Sequence, residues 1–171
     1  MNRRTDGQTD SRTGSEESPL HPSARPPADL PAAGRLLAID WGEKRIGLAL
    51  SDPTQTLAHP LGTLTRRAGR RLPMRELRNQ VDSHHPTGIV VGLPLESDGT
   101  EGDTARAARE MGEQVTQATG LPVVYVDERM STSRVRRSVA EMGGKTRGRE
   151  GELDQLAATV VLQSFLDGRR T

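Results

Sequence analysis

The strongest constraint on the fold of this chain is a short apolar run, Leu36-Leu37-Ala38-Ile39, which ends at Asp40 and the turn signal Trp41-Gly42. Consecutive apolar residues bounded by a turn signal are typical of a strand that is buried on both faces. A carboxylate at the end of such a strand costs several kcal/mol unless a cation or a set of hydrogen bonds compensates for it. The sequence therefore predicts a buried strand whose last charge needs partners.

Residues 1–34 differ in composition from the rest of the 171-residue chain. They are rich in Pro, Ser, Gly, Asp and Arg and show no apolar periodicity, so we expect a disordered tail. Residues 35–171 have the length of one ordinary domain. The absence of cysteine excludes disulfides and thiolate metal sites. No stretch approaches the roughly 18 apolar residues of a membrane span, and no signal peptide is visible, so we expect a cytoplasmic protein without membrane contact.

Apolar patterning along residues 35–171 predicts strands first and then strands alternating with helices. The first two strands, 36–41 and 45–51, should pair as a hairpin because a short Gly-containing turn joins them. Later strands follow helices and should arrive by crossover connections. The predicted fold is an α/β domain with an antiparallel start, parallel later strands and helices on both faces. Its other elements are a strand at 57–64, a helix at 70–83, strands at 88–94 and 122–126, and helices at about 101–118, 131–141 and 152–166.

Three acidic positions lie where an apolar element opens toward an edge of the predicted sheet. Asp40 closes the first strand, Asp127 and Glu128 close the last one, and Asp154 lies in the first turn of the last helix. The helix face that carries Asp154 is otherwise apolar, so its carboxylate is expected to point at the sheet. Because ligands of open α/β sheets gather beyond the carboxyl ends of the strands, these carboxylates are predicted to converge there.

Converging carboxylates are the hard oxygen ligands that Mg²⁺ and Mn²⁺ prefer. Two such ions about 3.5–4 Å apart can activate a water and stabilise the leaving oxygen of a phosphodiester. Taken singly, each acid also has an ordinary role, in a turn, in an ion pair with the neighbouring Arg129, at a helix cap or as the complement of a helix dipole. Their joint occurrence at matching places in the topology favours a metal site.

Positive charge is concentrated in two segments of a chain whose formal net charge is only +1. Residues 66–78 contain six arginines and one acid, and residues 129–149 contain seven basic residues and one acid. Such segregation suits a nucleic-acid backbone, although solvated helix faces would show the same pattern. With a single Trp, Tyr and Phe, the chain is better suited to structured nucleic acid than to base stacking on single strands. The residues assigned to the backbone are Arg129, Arg134, Arg136, Arg137, Lys145 and Arg147.

The chain resembles the YqgF (RuvX) family in four motifs that occur in family order between about Arg35 and Leu166. The motifs are Asp40-Trp41-Gly42 with Arg45-Ile46-Gly47-Leu48-Ala49 and Ser51-Asp52, Val90-Val91-Gly92-Leu93-Pro94 with Asp98-Gly99-Thr100, Asp127-Glu128-Arg129 with Ser131-Thr132, and Asp154-Gln155-Leu156-Ala157-Ala158. The resemblance implies a ribonuclease H-like fold related to RuvC-type Holliday junction resolvases. It also implies activity either as a resolvase or as the nuclease that matures the small-subunit ribosomal RNA precursor. The long tail departs from the family pattern, and so does Glu96, an acid in a loop where none is expected.

Carried over residue by residue, the resemblance assigns metal binding to Asp40, to Asp154 and to the acid that follows the Tyr125 strand, with Glu128 preferred to Asp127. The expected activity is that of an endonuclease with two Mg²⁺ or Mn²⁺ ions. Asp40 would bridge the ions, and Glu128 and Asp154 would complete one each as the other catalytic residues. Its expected substrate is branched DNA or precursor ribosomal RNA. Symmetric cleavage of a junction would favour a homodimer.

Two other classes of protein fit parts of the pattern. Actin-like phosphotransferases also open with an Asp-x-Gly hairpin around phosphates, but they need two domains around a cleft, and residues 35–171 supply one. In a non-catalytic nucleic-acid-binding module the acids would be structural, and divalent ions would not raise the thermal stability. The combination of acids and motifs favours the nuclease over both.

Overall fold

A computed structural model of the protein describes residues 30–66, 72–128 and 150–170. Eight elements occur in this part of the chain, and their order is that predicted from the apolar patterning. They are β1 (Leu36–Trp41), β2 (Arg45–Ser51), β3 (Ala58–Thr65), α1 (Met74–His84), β4 (Gly88–Leu93), α2 (Asp103–Thr119), β5 (Val123–Asp127) and α3 (Glu150–Gly168).

The five strands form one mixed sheet in the order β3-β2-β1-β4-β5. The first three strands are antiparallel to one another. Strand β4 runs parallel to β1, and β5 runs parallel to β4. The predicted ribonuclease H-like α/β architecture, with an antiparallel start and parallel crossovers, is thereby confirmed, and β1 lies at the centre of the sheet.

Helices cover both faces of the sheet, which explains why β1 is apolar at consecutive positions. Leu37 and Ile39 belong to the core that the sheet forms with α1 and α2. Leu36 and Ala38 belong to the core on the opposite face, under α3. Because successive residues of a strand point to opposite faces, Asp40 continues the series of residues that point toward α3.

Some predicted boundaries differ from those in the structure. Helix α1 begins at Met74 rather than at residue 70, since Pro73 occupies its N-cap position. Helix α3 begins at Glu150 rather than at residue 152, so Asp154 lies beyond the first turn in which it was predicted. The predicted helix at 131–141 lies outside the described residues. None of the helices in the described ranges is long and apolar enough to cross a membrane.

Contacts between the two ends of the described domain join them at the edge of the sheet where β1 and β4 begin. Leu30 is buried in the core under α3, although it falls within the predicted tail. Arg169, just beyond α3, donates hydrogen bonds to the carbonyl oxygen of Leu30 and to Oε1 of Gln55, both at 3.0 Å. Gln55 in turn donates to the carbonyl oxygen of Pro31 at 2.9 Å. The packed domain therefore includes Leu30, and the tail stays a prediction for residues 1–29, which lie outside the described ranges.

Candidate active site

Asp40 lies at the carboxyl end of β1 between two glycines. Across the antiparallel pair, its partner on β2 is Gly47. On the other side, Ile39 pairs with Val91 of the parallel strand β4. The same register continued by one residue sets Gly92 beside Asp40. Both lateral neighbours of Asp40 therefore lack a side chain, which leaves space on the α3 face for groups from other elements.

The space above Gly47 is filled by helix α3. A Cβ atom at position 47 would overlap the backbone oxygen of Asp154, so α3 can approach β2 this closely only at a glycine. Two hydrogen bonds hold the same part of the helix. Arg45 donates from Nε to Oδ2 of Asp154 at 2.7 Å, and the hydroxyl of Thr63 donates to the carbonyl oxygen of Gly151 at 2.7 Å. These three contacts fix the start of α3, and with it Asp154, over β2 and β3.

The space above Gly92 holds the carboxyl group of Glu128. A Cβ atom at position 92 would overlap Oε1 of Glu128. Glu128 follows β5 directly and is only 5% exposed, which is unusual for a glutamate. Its carboxylate is thus held against the strand next to Asp40, on the side opposite to Asp154.

Asp127 and Glu128 are separated by the alternation of strand β5. Val124 and Val126 face the core under α3, whereas Tyr125 belongs to the core on the other face. Asp127 has the parity of Tyr125 and therefore falls on the face away from α3. The strand geometry sets Glu128, rather than Asp127, on the face that Asp40 shares.

Asp40, Glu128 and Asp154 accordingly lie at the same end and on the same face of the sheet, where they were predicted to converge. They fit a hard divalent cation in donor chemistry, because all three are carboxylates, and the glycines at positions 47 and 92 let Asp154 and Glu128 approach Asp40 from either side. They are not arranged as a finished coordination shell. Within the described residues, no three acidic or histidine side chains are positioned to hold a metal ion, and Arg45 is bound to Asp154. Their role as metal ligands stays a prediction.

The acids of the β4–α2 loop are bound within that loop. Oδ1 of Asp98 accepts hydrogen bonds from the backbone N–H and the hydroxyl of Thr100 at 2.9 and 2.7 Å. Gly99 follows with a φ of +89°, as an Asp-Gly turn requires. The carboxyl group of Glu96 lies against Gly102, the N-cap residue of α2, where the helix dipole favours an anion. Glu96, which departs from the family pattern, thus has a local structural role.

The motif pair Ser51-Asp52 stabilises the opposite edge of the sheet. Asp52 accepts hydrogen bonds from the backbone N–H groups of Thr56 and Leu57, both at 2.7 Å. The hydrogen bond from Leu57, followed by that from the Thr54 side chain, holds the pKa of Asp52 well below its usual range. These two residues therefore shape a turn and take no part in the acidic site.

Arg66 has a role that the sequence did not indicate. Its guanidinium lies 3.8 Å from the ring centroid of Trp41, and its Nη1 donates to the carbonyl oxygens of Gly42 and Glu43 at 3.1 and 3.0 Å. Arg66 therefore braces the hairpin turn that follows Asp40. The sequence analysis included Arg66 only in a basic segment, because the contact of Arg66 with Trp41 depends on the pairing of β2 with β3.

The other predicted contacts to nucleic acid divide into exposed and undescribed residues. Arg75 and Arg78 are exposed on α1, on the face of the sheet away from the three acids. The second basic segment lies outside the described ranges, and its assignment stays a prediction for Arg129, Arg134, Arg136, Arg137, Lys145 and Arg147.

A mixed sheet of this order, with three antiparallel strands followed by parallel ones, is the ribonuclease H-like fold, which is shared by a class of nucleases that hydrolyse phosphodiester bonds. Comparison with known proteins agrees with this class. The profile of the RuvX family, described as Holliday junction resolvase, matches residues 34–168. The chain belongs to the RuvX family.

Similar proteins match about four fifths of the chain. A protein of Roseiflexus sp. (strain RS-1) is 36% identical over 137 residues, which make up 80% of this chain and 96% of the relative. A protein of Anaeromyxobacter sp. (strain Fw109-5) is 41% identical over 135 residues, or 79% of this chain and 98% of the relative. Both are named "Putative pre-16S rRNA nuclease". A similar solved structure is T. thermophilus RuvC in complex with Holliday junction substrate, with 14% identity, a TM-score of 0.48, and coverage of 80% of this chain and 96% of that chain.

Proposed function

We propose that this chain is a divalent-metal-dependent endonuclease in which Asp40, Glu128 and Asp154 bind two Mg²⁺ or Mn²⁺ ions. The observation that carries the proposal is the placement of these carboxylates at one end and on one face of the sheet, where glycines on β2 and β4 let α3 and Glu128 approach Asp40. Bound there, divalent cations make a water nucleophilic at neutral pH and stabilise the charge of the leaving oxygen.

The position of each acid gives it a separate part in binding. Asp40 lies on the central strand and can contribute to both cations. Asp154 approaches it from the β2 side, and Glu128 approaches it from the β4 side, so each of these acids would hold one cation. Strand alternation makes Glu128 the proposed metal ligand. Asp127 is the alternative ligand.

Two substrates are proposed in order of support. Precursor 16S ribosomal RNA comes first, because relatives that match the chain along almost their whole length bear the corresponding name. A four-way DNA junction comes second, because the description of the family names that substrate. Both occur in the bacterial cytoplasm, the compartment we propose, and both present phosphates that the basic segment at 129–149 is proposed to bind. Symmetric cleavage of a junction would additionally require a homodimer.

Side-by-side cleavage assays distinguish these substrates. The full chain is incubated with a precursor 16S RNA fragment or with a four-way DNA junction, in Mg²⁺, Mn²⁺ or EDTA. We expect cleavage of the RNA at discrete positions with either ion and none in EDTA. Cleavage confined to the junction would favour the second substrate. Cleavage of neither substrate, or cleavage that EDTA does not reduce, would contradict the proposed activity.

Replacing Gly92 by alanine is expected to damage the site more than the fold. The new methyl group would overlap the carboxyl group of Glu128, which can move away because it ends a flexible side chain. We therefore expect a loss of at most about 1–2 kcal/mol in the free energy of unfolding. Displacing a catalytic group by about 1 Å can cost roughly 10²-fold in rate, so we expect a loss of that order in cleavage. Gly62→Ala on β3, where a Cβ atom meets no other atom, is the matched control. Full activity of Gly92→Ala would contradict the assignment of Glu128 to the active site.

A further inference from the structure

Arg45 brings a positive charge to the edge of the acidic site. Its Nε lies 2.7 Å from Oδ2 of Asp154, and the two side chains are 32% and 31% exposed. Arg45 precedes Gly47 by two residues on β2 and therefore lies on the same face of the sheet. Since Gly47 pairs with Asp40, the Arg45–Asp154 pair borders the residue at the centre of the site.

The contacts that dock α3 separate the mechanical role of this region from the role of its charges. The backbone contact at Gly47 and the hydrogen bond from Thr63 to Gly151 hold the helix start without a charged group. The Arg45–Asp154 pair adds an attraction between opposite charges where three carboxylates share one face. Like charges that are held close together repel one another, and a positive charge beside them offsets that repulsion.

We propose that Arg45 is the resident counter-ion of the acidic site. It neutralises Asp154 while no divalent cation is bound, and it competes with the cation for that carboxylate afterwards. A carboxylate can donate one oxygen to each, so Arg45 weakens the binding of the cation without blocking it. This inference rests on the proposed function, because it requires a divalent cation to bind beside Asp154.

If Arg45 is the counter-ion, replacing it by a neutral residue should lower the unfolding temperature without a cation and raise the affinity for a cation. Without a cation, the carboxylates lose a compensating charge, so the protein should unfold at a lower temperature. With a cation, one repulsive positive charge is gone, and binding should become roughly three- to tenfold tighter, as expected for charges several ångströms apart near a protein surface. A residue that only oriented Asp154 would have the opposite effect on binding, and a purely structural ion pair would leave binding unchanged.

The test measures Mn²⁺ binding by titration calorimetry and unfolding temperature in EDTA and in Mn²⁺, on the full chain. Arg45→Gln removes the charge, Arg45→Met removes it but keeps the apolar part of the side chain, and Arg45→Lys keeps the charge. We expect both neutral variants to bind Mn²⁺ more tightly than the wild type and to unfold at a lower temperature in EDTA. Their unfolding temperature should also rise more on addition of Mn²⁺ than that of the wild type. Arg45→Lys should lie close to the wild type.

Arg106→Gln is the matched control, because Arg106 also pairs with an aspartate, Asp103, at an exposed place away from the acids. It should leave Mn²⁺ binding unchanged. Equal or weaker Mn²⁺ binding by the neutral Arg45 variants would overturn the counter-ion role while leaving the proposed function intact. If neither the wild type nor the neutral variants bind Mn²⁺, the proposed function and this inference both fail. Arg45→Met alone decides the question if Arg45→Gln does not fold.

Discussion

Asp40→Asn is expected to lower the rate of phosphodiester cleavage by about three orders of magnitude or more. Divalent cations supply several kcal/mol of stabilisation to the transition state, and each 1.4 kcal/mol corresponds to about a factor of ten in rate. Asp40 lies between the other two acids, so its loss affects both proposed cations. Binding of nucleic acid should remain, because the substitution removes a negative charge from the surface that faces the phosphates.

Stability distinguishes this loss of activity from misfolding. Neutralising one of three carboxylates on a single face relieves repulsion, so the unfolding temperature of Asp40→Asn in EDTA should not fall. Its increase on addition of Mn²⁺ should be much smaller than in the wild type. Asp82→Asn makes the same change of charge at an exposed position of α1 and should retain full activity. More than a tenth of wild-type cleavage by Asp40→Asn would contradict the assigned role.

Gly47→Ala is expected to have the largest effect on the fold. The new Cβ atom would overlap the backbone oxygen of Asp154, which cannot move unless α3 moves away from the sheet. Helix α3 packs on β1, β2 and β3, so the overlap should cost about 3 kcal/mol or more. For a domain of this size, that loss corresponds to roughly 10 °C in unfolding temperature. Cleavage should also fall, because Asp154 moves together with the helix.

The control for this prediction is Gly62→Ala. Gly62 lies on the edge strand β3, where an added Cβ atom meets nothing within 4 Å. Neither Gly47 nor Gly62 has a positive φ, so alanine should cause no backbone strain at either position. The two variants therefore differ only in the atoms that the added Cβ would contact. Thermal unfolding followed by circular dichroism compares the two variants directly. Equal unfolding temperatures would mean that α3 is not fixed by the contact at Gly47.

The order of strands and helices could be predicted because each depends on local pattern. The apolar run before Asp40 gave β1, and the periodicity of the last helix gave α3 within two residues at each end. Leu30 shows the limit of this approach. A single apolar residue in a Pro-rich segment has no periodicity, and its burial depends on α3, which lies more than a hundred residues away.

The candidate site was predictable in its chemistry but not in its geometry. The acids at element ends showed which groups would meet, whereas the lateral register decided how they meet. Gly47 and Gly92 are important because they flank Asp40, and that relation appears only after β2 and β4 are aligned with β1. The Arg45–Asp154 pair spans 109 positions and could not be found from spacing. The dipole explanation of Asp154 lost support because the residue lies beyond the first turn of α3, where the effect fades.

The hydrogen bonds from Arg169 to Leu30 and Gln55 have a practical consequence for the molecule as a whole. The described chain enters and leaves the domain at one corner, at the edge where β1 begins, and the acids lie at the edge where β1 ends. A fusion partner or surface anchor joined directly to Leu30 or to Arg170 would therefore emerge at the edge opposite to the three acids. Such an attachment leaves the edge that carries the three acids uncovered.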